Sequence, residues 1–283
     1  MSELNSELIE KYATYVSKKV ASRLINDYIT VQNCLYAQLE SLSWLQRRLA
    51  INGELPPLRG WAASPDVLLR LHTHIITKKP KVIVEFGSGS STLVIADALR
   101  QNGMGRLFSF DHNQYYGNQT LATLKNEKLD KWVDLRVSDL EPWTKHHLNP
   151  VDAEKPSLWY ATSSLHGINN IDLIWVDGPP GVTCLFSRYP ALPALSNKLS
   201  SNVEVWMDDT NRQEEIDICQ SWSEVYNFEV EFIALEKGLG RLTRKKPPIS
   251  NALQSTIQSM SESLDHSFSE KSVGLDFSLP EER

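Results

Sequence analysis

Residues 82–92 read Val-Ile-Val-Glu-Phe-Gly-Ser-Gly-Ser-Ser-Thr. An apolar run ends in an acid, Glu85, and then in two glycines one residue apart, Gly87 and Gly89. A segment of helical character, Thr92 to Leu99, follows. This order predicts a buried parallel strand and a turn without Cβ atoms, where a ligand can touch the backbone. A helix N-terminus then faces whatever sits there. Gly-x-Gly turns of this kind occur in dinucleotide enzymes and in many unrelated α/β proteins, so they fix a fold class before they fix a ligand.

Two details narrow the ligand. Thr92 stands where the dinucleotide pattern has its third glycine. Glu85 lies two residues before the first glycine, where a pyrophosphate would be repelled. A carboxylate there suits a cationic ligand, and S-adenosylmethionine carries an ammonium and a sulfonium. The plainer alternative is a tight strand–helix turn with a solvated Glu85.

From Lys81 the chain alternates strand and helix. Strands are expected at 81–86, 106–111, 132–137, 171–177 and 202–208, and helices at 91–102, 114–128, 187–200 and 211–223. That alternation predicts a Rossmann-like, doubly wound mixed α/β sheet with right-handed crossovers. A terminal antiparallel hairpin is expected from Phe228–Leu235 and Gly238–Arg244. Residues 140–170 form a long insertion holding Trp143, His146, His147, Trp159, Tyr160 and His166. A loop of that length is usually functional or mobile.

The flanks differ from this centre. Residues 4–51 contain no Pro and no Gly, and apolar residues recur at helical spacing from Leu8 to Leu49. This N-terminal helical extension, 1–57, reads as an amphipathic helix or helix pair packed on the domain, with a short coiled coil as the alternative. Ser64 and Pro65 are placed to cap and open a further helix ending near Lys78. Residues 58–246 are the expected sheet domain. Residues 247–283 are Ser-rich and polar and are expected to be a disordered tail, with a transient helix around 252–263.

Bulk properties exclude several classes. The net charge of −6 argues against sequence-independent nucleic-acid binding. Cys34, Cys184 and Cys219 are widely spaced, without metal-type spacing, and fit a reducing compartment. The acidic, polar N-terminus does not read as a signal peptide, and no apolar run reaches the roughly 18 residues of a membrane span. A cytoplasmic location is the expectation.

Ligands of open α/β sheets bind beyond the carboxyl ends of the strands. Five acids fall there: Asp111 in Phe-Ser-Phe-Asp-His, Asp139 after the third strand, Asp177 in Trp-Val-Asp-Gly-Pro-Pro-Gly, and Asp208 and Asp209 in Trp-Met-Asp-Asp-Thr. Asp111 lies about 20 residues past the glycine turn, where an acid can accept ribose hydroxyls. Each acid also has a local explanation. Asp209 or Thr210, for instance, could cap the next helix, with Gln213 or Glu214 completing a capping box.

These motifs together resemble class I S-adenosylmethionine-dependent methyltransferases, over roughly residues 58–246. More narrowly, Phe-Asp-His-Asn, Trp159-Tyr160, Val-Asp-Gly-Pro-Pro-Gly, Arg-Tyr-Pro-Ala-Leu and Met-Asp-Asp-Thr-Asn-Arg resemble a bacterial subgroup often found with polysaccharide-modifying enzymes. The resemblance implies that Glu85, Gly87, Ser88, Gly89 and Ser91 hold the methionine part of the cofactor. Asp111 would bind the ribose and Asp139 the adenine end, with His112 beside the adenine or simply on the surface. Gly60 and Trp61 would close over the cofactor, or Trp61 would anchor a core under the N-terminal helices.

The resemblance also implies a chemistry. A sugar hydroxyl needs a base or a metal to become a nucleophile. Asp177, Asp208 and Asp209 look like the three-oxygen Mg2+ site of magnesium-dependent small-molecule O-methyltransferases. Asp177, Asp209 and Arg188 are then the catalytic candidates. The chain departs from the antibiotic-sugar pattern at Pro179, where a second acid would serve as base. His146, His147 and His166 are the other bases available. Arg188 and Arg212 could hold an anionic acceptor, or pair with the neighbouring acids. The expected function is O-methylation of a saccharide or other small hydroxylated acceptor. The alternatives are an N-methyltransferase of a small molecule or protein, a catalytically inactive assembly protein docking through its N-terminal helices, and a nicotinamide-dependent oxidoreductase, which the missing glycine disfavours. A homo-oligomer or a protein partner through those helices is also expected.

Overall fold

The computed structural model describes residues 2–149 and 156–245. The expected tail lies outside the described residues. Helices α1 (Ser2–Arg48) and α2 (Pro65–Lys78) precede the first strand. Strand β1 (Val82–Phe86), helix α3 (Ser90–Asn102), β2 (Arg106–Asp111), α4 (Gln114–Asn126) and β3 (Val133–Val137) follow. Two short strands, β4 (Leu140–Pro142) and β5 (Leu158–Tyr160), pair antiparallel within the insertion. Then come β6 (Ile171–Val176), α5 (Ala191–Leu195), β7 (Leu199–Asp208), α6 (Gln213–Val225), β8 (Phe228–Ile233) and β9 (Leu239–Arg244).

Seven strands form one sheet in the order β3-β2-β1-β6-β7-β9-β8. All pairs are parallel except those of β9, which runs antiparallel to β7 and β8. Both faces are covered, and the strand period of two shows why. Ile83, Leu173, Trp175 and Trp206 face one core, with α2, α3 and α4. Val84, Phe86, Ile174, Val176, Val205 and Met207 face the other, with α5, α6 and the β4–β5 ribbon. Near-continuous apolar strands are the signature of a sheet buried on both sides. The chain winds from β1 outward to β3, then crosses to β6 and winds the other way. The crevice beyond the carboxyl ends of β1 and β6 is therefore the topological switch point.

Three expectations change. The helix expected at 187–200 shrinks to Ala191–Leu195. Pro190 and Pro193 limit its turns, and Leu199 already pairs with Ile171, so β7 begins earlier than expected. The N-terminal segment is a single helix, and only its C-terminal part packs. Leu45 is buried, and Gln38 and Asp66 exchange two hydrogen bonds, at 2.8 and 3.3 Å. Every side chain from residue 10 to 37 is exposed. Trp61 is 68% exposed, so it anchors no core. Among the described residues, no helix is long and apolar enough to cross a membrane.

Candidate active site

The turn after β1 is built from residues that a side-chain-bearing backbone could not replace. Gly87 has φ +96, in the region that favours glycine. A Cβ there would meet the Asp177 carbonyl group at 3.1 Å, and one on Gly178 would meet Gly87 at 3.1 Å. The turns after β1 and β6 thus lie back to back. At Gly89 a Cβ would meet nothing within 4 Å, so this side of the turn is open.

Glu85 faces inward. Its Oε1 accepts from Ser91 Oγ, and its Oε2 from Thr92 Oγ1 and Ser109 Oγ, each at 2.6 Å. Thr92 Oγ1 in turn accepts the Gly89 N–H at 2.8 Å. The residue in place of a third glycine is therefore the one that ties the turn to the buried acid. Burial pushes the Glu85 carboxyl up to about 7, against the pull of the three hydroxyls.

Asp111 ends β2 beside this turn. Its Oδ2 accepts the backbone N–H of Ser88 at 3.1 Å and the Ser88 hydroxyl, and its Oδ1 accepts the Asn113 N–H at 2.8 Å. His112 Nδ1 lies 3.8 Å from Asp111 Oδ1, too far for a hydrogen bond. Asp139 is exposed just past β3.

On the other side of the crevice sits a dense ion cluster. Carboxylate oxygens of Asp177, Asp208 and Asp209 all lie within 4.8 Å of one another. Arg188, only 3% exposed, reaches in from the loop before α5. Its Nη2 donates to Asp209 Oδ2 at 2.8 Å and to Asp177 Oδ1 at 3.3 Å, and its Nη1 donates to the Asp208 carbonyl at 3.0 Å. Of the two readings of Arg188, pairing with the neighbouring acids is the one the structure contains. Arg212 is 48% exposed and approaches Asp209 Oδ2 at 3.2 Å and Glu215 Oε1 at 3.4 Å. It is the accessible guanidinium of the pair.

Asp208 is wholly buried, and neither of its carboxylate oxygens has a hydrogen-bond partner among the described residues. Burial, with the Asp209 charge adding, raises its pKa to about 7. The protein packed around Asp177, together with the Asp208 charge, holds Asp177 well above the usual carboxylate range. Asp209 adopts φ +61. It does not cap α6, whose N-cap is Arg212, so the expected capping box is absent. A left-handed residue at the end of a strand is the kind of strain that collects at functional sites.

Within the insertion, the β4–β5 pair packs on the sheet. Trp159 and Tyr160 pack on Phe86 with ring centroids 4.8 and 5.4 Å away. The Tyr160 hydroxyl is buried without a hydrogen-bond partner among the described residues. It sits at the junction of the two turns, 2.7 Å from where a Cβ on Gly178 would be. Sequence reasoning gave Tyr160 no role. Its signal in the sequence is the Trp159-Tyr160 pair, one of the motifs of the subgroup resemblance, inside a polar insertion. The histidines point elsewhere. His146 Nδ1 lies 2.9 Å from the Tyr189 hydroxyl, His147 Nδ1 accepts the Asn149 N–H at 3.0 Å, and His166 Nδ1 lies 2.8 Å from the Ser163 carbonyl. Gly60 belongs to a loop tied down by Lys237, whose Nζ donates to the Gly60 and Ala62 carbonyls, each at 2.7 Å.

The family model of a methyltransferase domain matches residues 84–210, somewhat under half of the 283-residue chain. The comparison with curated proteins finds no match. Among solved structures, a methyltransferase from Podospora anserina bound to S-adenosylhomocysteine is similar in fold. It shares 16% identity over 74% of this chain and 88% of its own, with a TM-score of 0.51. An O-methyltransferase from Bacillus cereus in complex with S-adenosylhomocysteine shares 13% identity over 74% of this chain and 91% of its own, with a TM-score of 0.50. The chain thus has the Rossmann-like methyltransferase fold, with a methyltransferase domain recognisable in its sequence over residues 84–210.

Proposed function

We propose that this protein is an S-adenosylmethionine-dependent methyltransferase acting on a hydroxyl of a small molecule, a saccharide being the favoured class. One observation carries the reading: an open glycine turn braced by Asp111 shares its crevice with the ion cluster of Asp177, Asp208 and Asp209. The first half suits a cofactor and the second an acceptor hydroxyl.

The cofactor fits the residues present. Space is open at Gly89, and two buried atoms at the rim, His112 Nδ1 and Tyr160 Oη, lack hydrogen-bond partners among the described residues. Bound there, S-adenosylmethionine supplies a methyl group on a sulfonium that is already a good leaving group. The protein contributes placement. Gly87, Ser88 and Gly89 present backbone to the methionine part, and Glu85, with Ser91 and Thr92, holds that backbone rigid from behind. Asp111 holds the ribose, and Asp139 and His112 border the adenine. On the acceptor side, Asp209 receives the hydroxyl proton, and Arg188 fixes its orientation through Oδ2. Arg212 can face an anionic acceptor such as a uronate or phosphate.

A divalent cation also fits. Fully ionised, Asp177, Asp208, Asp209 and Glu215 would carry four negative charges against the two positive charges of Arg188 and Arg212. Protonation of Asp208 and Asp177 removes the excess, and so does Mg2+ held by Asp177, Asp208 and Asp209. Bound there, Mg2+ would acidify an acceptor hydroxyl.

Calorimetric titration with S-adenosylhomocysteine, with and without Mg2+, tests the proposal. Micromolar binding is the expected result. Tighter binding with Mg2+ that disappears in Asp208→Asn would assign the metal. Absence of binding in both conditions would leave the assembly-protein alternative. Asp111→Ala is expected to weaken S-adenosylhomocysteine binding by about two orders of magnitude, the worth of a pair of hydrogen bonds to a charged acceptor. Undiminished affinity in a normally melting variant would remove Asp111 from the cofactor site.

A further inference from the structure

We infer that α1 pairs antiparallel with α1 of a second copy of this chain, an assembly independent of the function proposed above. From residue 10 to 37 the helix has no buried side chain, yet it carries an apolar stripe: Val16, Val20, Leu24, Tyr28, Val31 and Leu35, exposed by 39 to 66%. The steps of four and three residues keep these side chains on one face of a straight helix. A soluble monomer rarely leaves such a patch uncovered. The stripe offers on the order of 600 Å² per helix, and Tyr12 and Leu39 extend it toward the roughly 800 Å² per partner of a stable interface.

Charge and shape select the partner and its direction. Asp27 lies on the stripe face, between Leu24 and Val31. In a parallel pair it would face its own copy. In an antiparallel pair centred near residue 25, Asp27 of each helix lies beside Arg23 of the other, Val20 beside Thr30 and Val16 beside Cys34. Toward the C-terminal end of α1 the stripe runs into a groove of about 540 Å³, walled by Leu42 and Gln46 of α1 and by Leu49, Ile51, Leu55 and Leu58 of the following loop.

Sedimentation velocity on the full chain at micromolar concentration tests the pairing, with twice the 32.1 kDa monomer mass expected. The double variant Leu24→Glu, Val31→Glu changes only exposed positions. It is expected to sediment as a monomer with unchanged melting. Oxidation with copper–phenanthroline tests the direction. Val16→Cys is expected to give a covalent dimer through Cys34 of the other copy, because on one helix the two positions are about 27 Å apart. The wild type is expected to stay uncrosslinked. A monomeric wild type, or a dimer that survives the double variant, would overturn the pairing. Crosslinking of the wild type through Cys34 alone, or of Val16→Cys combined with Cys34→Ser, would show the parallel arrangement instead.

Discussion

Asp209→Asn is expected to lower kcat by about a thousandfold while leaving S-adenosylhomocysteine affinity unchanged, the size of effect that a lost general base produces. Asparagine is the informative replacement for three reasons. It keeps the side-chain shape, and it tolerates the left-handed backbone at φ +61 better than alanine does. It also leaves an oxygen for the Arg188 contact of 2.8 Å, so the buried guanidinium keeps a partner. Alanine would abolish turnover as well, but it would strand Arg188 in a buried site, which typically costs about 3–5 kcal/mol. A loss of activity would then mix chemistry with unfolding. Steady-state kinetics with a hydroxylated acceptor, alongside cofactor titration, separates the two. Near-normal turnover in the asparagine variant would refute the assignment of Asp209, whether it acts as a base or as a metal ligand.

Glu85→Gln should change how the ligand-free protein responds to pH. The folded pKa of about 7 lies above the ordinary 4.5. A raised acid favours folding fully below the unfolded pKa, and that contribution is lost as pH rises through the folded one. Between about pH 4.5 and 7 the fold therefore loses on the order of 3 kcal/mol at this residue. Asp177 and Asp208 are raised too and act in the same direction, whereas Asp97, Asp134 and Glu204 are lowered and act against it. The difference between wild type and variant isolates Glu85. Denaturant melts are expected to show similar stability near pH 5. By pH 8 the variant should be the more stable, since its amide carries no charge to desolvate and the hydroxyls of Ser91, Thr92 and Ser109 can turn to meet it. A gap that stays constant with pH would mean that Glu85 is ionised throughout.

The parallel strands were legible because β1 and β6 are apolar runs, β2 and β3 alternate with a period of two, and each is closed by an acid or a glycine turn. The rim acids were legible because the switch-point rule turns strand ends into site positions without any contact information. What stayed hidden depends on contacts distant in sequence. Arg188 looked equally like a surface clamp and a salt-bridge partner; only the return of its loop over β6 and β7 buries it. Trp61 looked like a core residue by type, but the core beneath the N-terminal helix is completed by Leu45, Leu68 and Leu71 instead. The β4–β5 pair spans three residues on each side, too short for a period of two to register. The two prolines that shorten α5 were visible, but an apolar run around them outweighed them.

The back-to-back contact between Gly87 and Gly178 has a consequence for selectivity. Neither turn can shift without displacing the other, so the glycine turn proposed to hold the methyl donor and the acid cluster form a single rigid plate. An acceptor cannot draw the reacting groups together by adjusting this plate. It must arrive with its hydroxyl already at the right reach, as if measured against a fixed ruler. Discrimination among acceptors then falls to the parts that frame the plate rather than to the plate itself, namely the β4–β5 ribbon and the loop held down by Lys237. If the proposed function holds, exchange of those two segments between relatives should redirect the protein to new acceptors without disturbing the transfer itself.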